Sequence, residues 1–134
     1  MNSDLMSPDK WGSAWEEQAS GSSFKQVVKN LVLREFISLF RSFAARCLTD
    51  TPLIVELGCA PGTMLRRLHQ ACPAAKLSGV DYSRRGIEIT EDSLRSWGLE
   101  AELTVGDIFN LVPAERADLV ISCGLIEHFV DPIE

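Results

Sequence analysis

The sequence has no long unbroken apolar run, no paired-cysteine spacing and no excess of positive charge. Its four cysteines (Cys47, Cys59, Cys72 and Cys123) include no pair at CxxC spacing, and there are only two histidines. No metal site is therefore predicted. Thiols scattered singly, three of them in apolar runs, suit a reduced cytoplasmic setting. Residues 1–10 are polar and lack the basic-then-apolar order of a secretory signal. The longest apolar region, 24–48, is interrupted by Lys25, Lys29, Arg34, Glu35, Arg41 and Arg46, so it predicts no membrane span. Thirteen Lys and Arg face 19 Asp and Glu, a net charge of −6, which argues against a phosphate-backbone partner. The pairs Arg66–Arg67 and Arg84–Arg85 read as scattered surface charge.

What the chain does have is periodicity. In its 134 residues, 46% are hydrophobic, enough for one globular domain with a core. Trp11 and Trp15 are spaced to share one helical face and read either as core anchors or as part of a lid helix. After the break at 20–23, apolar residues recur at 24, 27, 28, 31, 32, 36, 39, 40, 43 and 47. That spacing predicts a helix with a broad buried face, ended near Pro52.

The pattern then changes to short apolar runs separated by turns. Strands are predicted at 53–57, 76–81, 101–105 and 117–122, with helices at 63–71 and from a Ser83 cap to about Trp97, stopped by Gly98. Alternating strand and helix is the grammar of a parallel sheet with helical crossovers. The expected fold is α/β, a Rossmann-like doubly wound parallel sheet, incomplete at about four strands, with N-terminal helices. Two segments are expected: 1–22, an N-terminal or lid segment, and 23–134, the ligand-binding domain, truncated after strand four. The fourth strand then becomes an exposed apolar edge, through which self-association is an alternative to truncation.

Chemistry concentrates at Glu56-Leu57-Gly58-Cys59-Ala60-Pro61-Gly62, between the first strand and its helix, where open α/β sheets bind ligands. Gly58 permits the turn, and Gly62 lets the next helix start close to a ligand. Asp81 ends the second strand, where a carboxylate can accept from both ribose hydroxyls. A dinucleotide site favours G-x-G-x-x-G, but the second and third glycine positions here are Ala60 and Thr63. Glu56 would repel a pyrophosphate and suit a cationic ligand such as S-adenosylmethionine, which carries a sulfonium and an ammonium.

These motifs resemble those of the class I methyltransferases. VELGCAPGT (55–63) looks like their first motif, with Ala60 and Pro61 departing from it; GVDYS (79–83), VGDIFN (105–110) and ADLVISCGLIEHFVD (117–131) are similar to the next three. The resemblance covers 53–131 and implies S-adenosylmethionine as cofactor. It implies that Gly58, Cys59 and Gly62 line the methionine and ribose portion, largely through backbone. It implies that Glu56 orients the turn and reaches the ammonium directly or through water, that Asp81 holds the ribose, and that Tyr82 lies against the adenine. Asp107 would accept from the adenine amino group, with the Ile108 N–H at a ring nitrogen, and Cys123 would offer its carbonyl to the ammonium. The alternative for Asp107 is simply to cap a turn at Gly106, and Cys59 is more often a small packing residue than a nucleophile.

His128 is the candidate catalytic residue, as a general base or a holder of substrate, with a helix-packing role as the alternative; His69 reads as solvated. The expected function is methyl transfer by in-line displacement to a small-molecule acceptor, with no nucleic acid, membrane or metal partner. The alternatives are a protein or nucleic-acid methyltransferase, and a non-catalytic or NAD-linked binding module. Ser122-Cys123-Gly124-Leu125 stands where DNA and RNA amino-methylating enzymes often carry an Asn/Asp-Pro-Pro-aromatic motif, which argues against them.

Overall fold

The computed structural model describes residues 23–47, 49–111 and 115–125. Trp11, Trp15, Glu127 and His128 lie outside the described residues. The order is α1 (Ser23–Cys47), β1 (Leu53–Leu57), α2 (Thr63–Ala71), β2 (Lys76–Asp81), α3 (Arg84–Ser96), β3 (Glu102–Val105) and β4 (Leu119–Ser122). Each element matches its sequence expectation to within a residue or two.

The four strands form one sheet in the order β3-β2-β1-β4. All three pairings are parallel, with Glu56 beside Gly79 and Ile121, and Asp81 beside Val105. Residues in register share a face. Ile54, Leu77 and Ile121 therefore point the same way, and they form one core with Leu65 and Leu68 of α2, Ile87 and Leu94 of α3 and Phe40 of α1. The opposite face carries Val55 half-buried and Val120, on the β4 edge, 55% exposed.

Local chemistry explains the ends of α3. Ser83 Oγ accepts from the Gly86 N–H at 3.0 Å, an N-terminal cap. At the other end Gly98 takes φ +67°, and Leu99 N–H donates to the Leu94 carbonyl while Gly98 N–H donates to Arg95. This pair of bonds is the Schellman closure that glycine permits.

The expectation for α1 needs correction. Its core-facing residues are Leu33, Phe36, Ile37, Phe40 and Ala44, whereas Leu31, Val32, Leu39 and Phe43, counted in the same buried face, are exposed. The helix carries two apolar stripes, and the one with Phe36 and Phe40 packs against the core beside α2. No described helix is long and apolar enough to cross a membrane.

Candidate functional site

The sheet order fixes where a ligand can lie. From β1 the chain leaves through α2 to β2 on one side, while β4 pairs with β1 on the other. The point where strand order reverses opens a crevice at the carboxyl ends of the strands. The turns after β1, β2 and β3 meet there and are bonded to one another. Gly58 and Cys59 both donate their N–H groups to the Val80 carbonyl, at 2.8 and 3.2 Å, and Gly106 N–H donates to the Asp81 carbonyl at 2.9 Å.

Gly58 and Gly62 adopt φ of +73° and +88°, the left-handed region that disfavours side chains. A Cβ on Gly58 would meet the Leu125 side chain at 3.2 Å, and one on Gly62 would meet Thr90 Cγ2 at 3.0 Å. The first glycine thus lets the Leu125 side chain pack close over the turn, and the second lets the start of α2 pack against α3. The Ala60–Pro61 peptide is cis.

Glu56 is 3% exposed. It accepts a hydrogen bond from the Leu65 N–H, in the first turn of α2, so it caps a helix whose N-cap, Gly62, has no side chain to do so. Its other oxygen, Oε2, is buried with no hydrogen-bond partner. Burial pushes the carboxyl up to about 8, against the bond from Leu65, and the nearby Asp81 charge adds to the rise. A buried acceptor left unpaired is costly, and a cation placed beside it would relieve both the missing bond and the proton.

Asp81 ties the β1 and β2 turns together. Its Oδ2 accepts from Ala60 N–H at 3.1 Å and its Oδ1 from Ser83 N–H at 2.9 Å. Burial raises its pKa, and those two bonds oppose the rise. Each oxygen has accepted one bond and retains capacity for a second, which leaves room for the two hydroxyls of a ribose.

Asp107 differs. Its Oδ1 accepts from Phe109 N–H at 3.0 Å and its Oδ2 from Asn110 Nδ2 at 2.7 Å, while Asn110 N–H donates to its carbonyl. It caps the turn that it begins, 107–110, at the tip of β3. Ile108 is half-buried in that turn, and Tyr82, 47% exposed, stands at the tip of β2.

Cys59 is buried, with its thiol against β2: a Cβ on Gly79 would lie 2.7 Å from its Sγ. Burial and the Asp81 and Glu56 charges push the thiol further up from its ordinary range, which suits packing and not nucleophilic attack. The expectation that Gly58 and Cys59 line a ligand through backbone is narrowed, because both N–H groups are bonded to Val80. Cys123 is exposed just beyond β4.

Sequence reasoning missed three features. Gly79 makes the notch for Cys59; an interior strand glycine signals such a close approach. Gly86 plays a similar part on α3. Ser122 Oγ, at the end of β4, is a second buried oxygen without a partner; no pattern in the sequence marks it. Among the described residues, no group of His, Cys, Asp and Glu could hold a metal ion.

The donor set fits a cationic nucleoside ligand. It offers one unpaired buried carboxyl oxygen and a second carboxylate with capacity for hydroxyls. A pyrophosphate in the same place would face the Asp81 carboxylate and bring no positive charge to Glu56.

Comparison with known proteins agrees. Residues 54–134 match the family described as "Methyltransferase domain". The chain is 29% identical over 87 residues to trans-aconitate 2-methyltransferase of Escherichia coli O157:H7 (strain EC4115 / EHEC), covering 65% of this chain and 33% of that protein. It therefore spans about a third of the length of the curated relatives it matches. Among solved structures, an S-adenosylmethionine-dependent methyltransferase from Clostridium acetobutylicum ATCC 824 superposes with a TM-score of 0.60 at 23% identity, over 75% of this chain and 42% of that one. Coclaurine N-methyltransferase, bound to N-methylheliamine and S-adenosylhomocysteine, gives 0.57 at 24% identity, over 69% and 28%. The chain belongs to the methyltransferase-domain family, and its fold is that of the class I, Rossmann-like, S-adenosylmethionine-dependent methyltransferases.

Proposed function

We propose that this chain binds S-adenosylmethionine at the carboxyl ends of β1, β2 and β3, as part of an enzyme that methylates a small-molecule acceptor. The observation that carries the reading is the buried Glu56 carboxyl, whose Oε2 has no partner, at the mouth of a glycine turn. The cofactor supplies a methyl group already activated on a sulfonium. The chain's own task is then to hold, align and exclude water, and alignment is worth on the order of 7–11 kcal/mol of the barrier.

In this reading Glu56 receives the ammonium, Gly58 gives it close approach, and the Cys123 carbonyl adds a further acceptor. Gly62 sets the start of α2, and Cys59 supports the turn from behind. Asp81 accepts the ribose hydroxyls, with Tyr82 against the adenine. Ile108 N–H and Asp107 address the adenine edge, Asp107 by exchanging a bond of its own turn. His128, outside the described residues, would hold the acceptor or take its proton. The acidic balance and the sequence after β4 favour a small-molecule acceptor over nucleic acid. The trans-aconitate and coclaurine enzymes among its relatives are consistent with that class. Cys59, Cys72 and Cys123, none of them in a disulfide, suit the cytoplasm, and the exposed β4 edge is the surface through which copies would associate.

Calorimetry with S-adenosylhomocysteine and with NAD tests this directly. The chain is expected to bind the first and not the second. Asp81→Ala, which removes the ribose acceptor and orphans two buried N–H groups, should weaken binding by about 100-fold or more. Unchanged affinity in that variant, or preferential binding of NAD, overturns the assignment.

A further inference from the structure

The turn after β1 carries Ala60 at its second glycine position. Ala60 is 6% exposed, so its methyl needs room inside the molecule. That room is on α3. A Cβ built on Gly86 would lie 2.9 Å from Ala60 Cβ, 3.2 Å from Asp81 Oδ1 and 3.3 Å from Ser83 Cβ. Gly86 is helical, with no positive φ, in the first turn of α3. Backbone freedom does not require glycine there, and within a helix glycine costs about 1 kcal/mol relative to alanine. Space is what requires it.

The same space is where the cleft is tied together. Gly86 N–H donates to Ser83 Oγ, Ser83 N–H donates to Asp81 Oδ1, and Ala60 N–H donates to Asp81 Oδ2. Three buried bonds thus join the β1 turn to the cap of α3 through one carboxylate.

We propose that Gly86 is a positioning residue for the cofactor turn: the small residue missing at position 60 is supplied from α3, so that the Ala60 methyl and the Asp81 carboxylate fit side by side. The proposal rests on reading this cleft as the adenosyl site. It makes positions 60 and 86 complementary, since the space holds one methyl group and not two. A methyl at 86 displaces the turn and turns Asp81 away from its two N–H donors. Removing the methyl at 60 restores the room.

A double-mutant cycle on the full chain tests it, with S-adenosylhomocysteine affinity by calorimetry and unfolding by denaturant measured in parallel. Gly86→Ala is expected to weaken binding about tenfold or more, and Ala60→Gly/Gly86→Ala to recover most of that loss, with the Ala60→Gly single variant closing the cycle. A merely structural role for Gly86 would alter unfolding without a tenfold change in the affinity of the folded protein. Gly86→Ala binding within about twofold of wild type, or a double variant no better than Gly86→Ala, overturns the proposal. Should Gly86→Ala not fold, a folded and binding double variant supports it, and a double variant that also fails to fold overturns it. Wild-type chain that binds no S-adenosylhomocysteine removes the cofactor reading and this proposal together; wild-type binding with an unaffected Gly86→Ala removes this proposal alone.

Discussion

The turn after β1 and the turn after β3 each place an acid near a strand tip beside a glycine, yet their physics differ. Glu56 is buried with one oxygen unpartnered, and its neighbours Gly58 and Gly62 hold positive φ. Asp107 has both oxygens occupied within its own turn. A Cβ on its neighbour Gly106 would make only ordinary contacts, at 3.7–3.8 Å. The first turn has a buried oxygen with no bond, a need that a cation would fill, whereas each Asp107 oxygen already has a partner. A buried oxygen with no partner at all therefore points to a ligand more strongly than an acid whose two oxygens each accept a bond from their own turn.

The sharpest test of that contrast is pH. The folded pKa of Glu56, about 8, lies above the ordinary value of 4.5. Between these values the folded state holds a proton that the unfolded state has released, so stability falls as pH rises through the window, by up to about 1.4 kcal/mol per unit. Glu56→Gln, which mimics the neutral acid, should flatten that part of the stability curve. The raised Asp81 contributes with the same sign and remains in the variant. Binding should show the converse. If a cation prefers ionised Glu56, the affinity of wild type for S-adenosylmethionine rises with pH up to about 8 and then levels, with the proton released measurable by calorimetry in buffers of different ionisation enthalpy. Glu56→Gln should lose that dependence, and an identical slope in both proteins would break the comparison.

A smaller effect separates the glycines. Gly62→Ala forces a side chain to φ +88° and against Thr90. It should destabilise by about 2 kcal/mol, read from denaturant midpoints. Gly106→Ala, with no positive φ and no close neighbour, should be neutral or stabilise by up to about 1 kcal/mol. Equal losses at both positions would mean that the two turns are under the same constraint.

The smallest expected change is at Asp107. Asp107→Ala removes two turn bonds at a half-buried site and should cost about 1 kcal/mol of stability. Should S-adenosylhomocysteine affinity also fall about tenfold, the adenine contact is supported. Unchanged affinity would leave Asp107 as framework only.

The elements themselves were legible because each rests on local rules. Pro52 and Gly58 bracket β1, Ser83 caps α3 and Gly98 ends it, and the switch from helical to strand periodicity after Pro52 survives in the structure. Glu56, Asp81 and the glycine turn were legible for the same reason: their chemistry follows from residue type and position relative to a strand end. The exposed stripe of α1 was not. Val32 and Leu39 satisfy the helical period as well as Phe36 and Phe40 do, and periodicity does not say which of two apolar stripes meets a partner. The direction of the Cys59 thiol was equally hidden, since it depends on the absence of a side chain at Gly79, on another strand.

By itself, then, the sequence determined the order of strands and helices, the place of the turn after β1 and the acids that border it, because those follow from backbone preference, side-chain period and charge within short windows. Only the tertiary structure decided which oxygens remain unpaired, which thiol is packed away, and that a methyl at position 60 is accommodated by a glycine on another element. Those outcomes depend on the distance between groups far apart in the chain, and in a close-packed interior a difference of one carbon atom determines whether two such groups can meet.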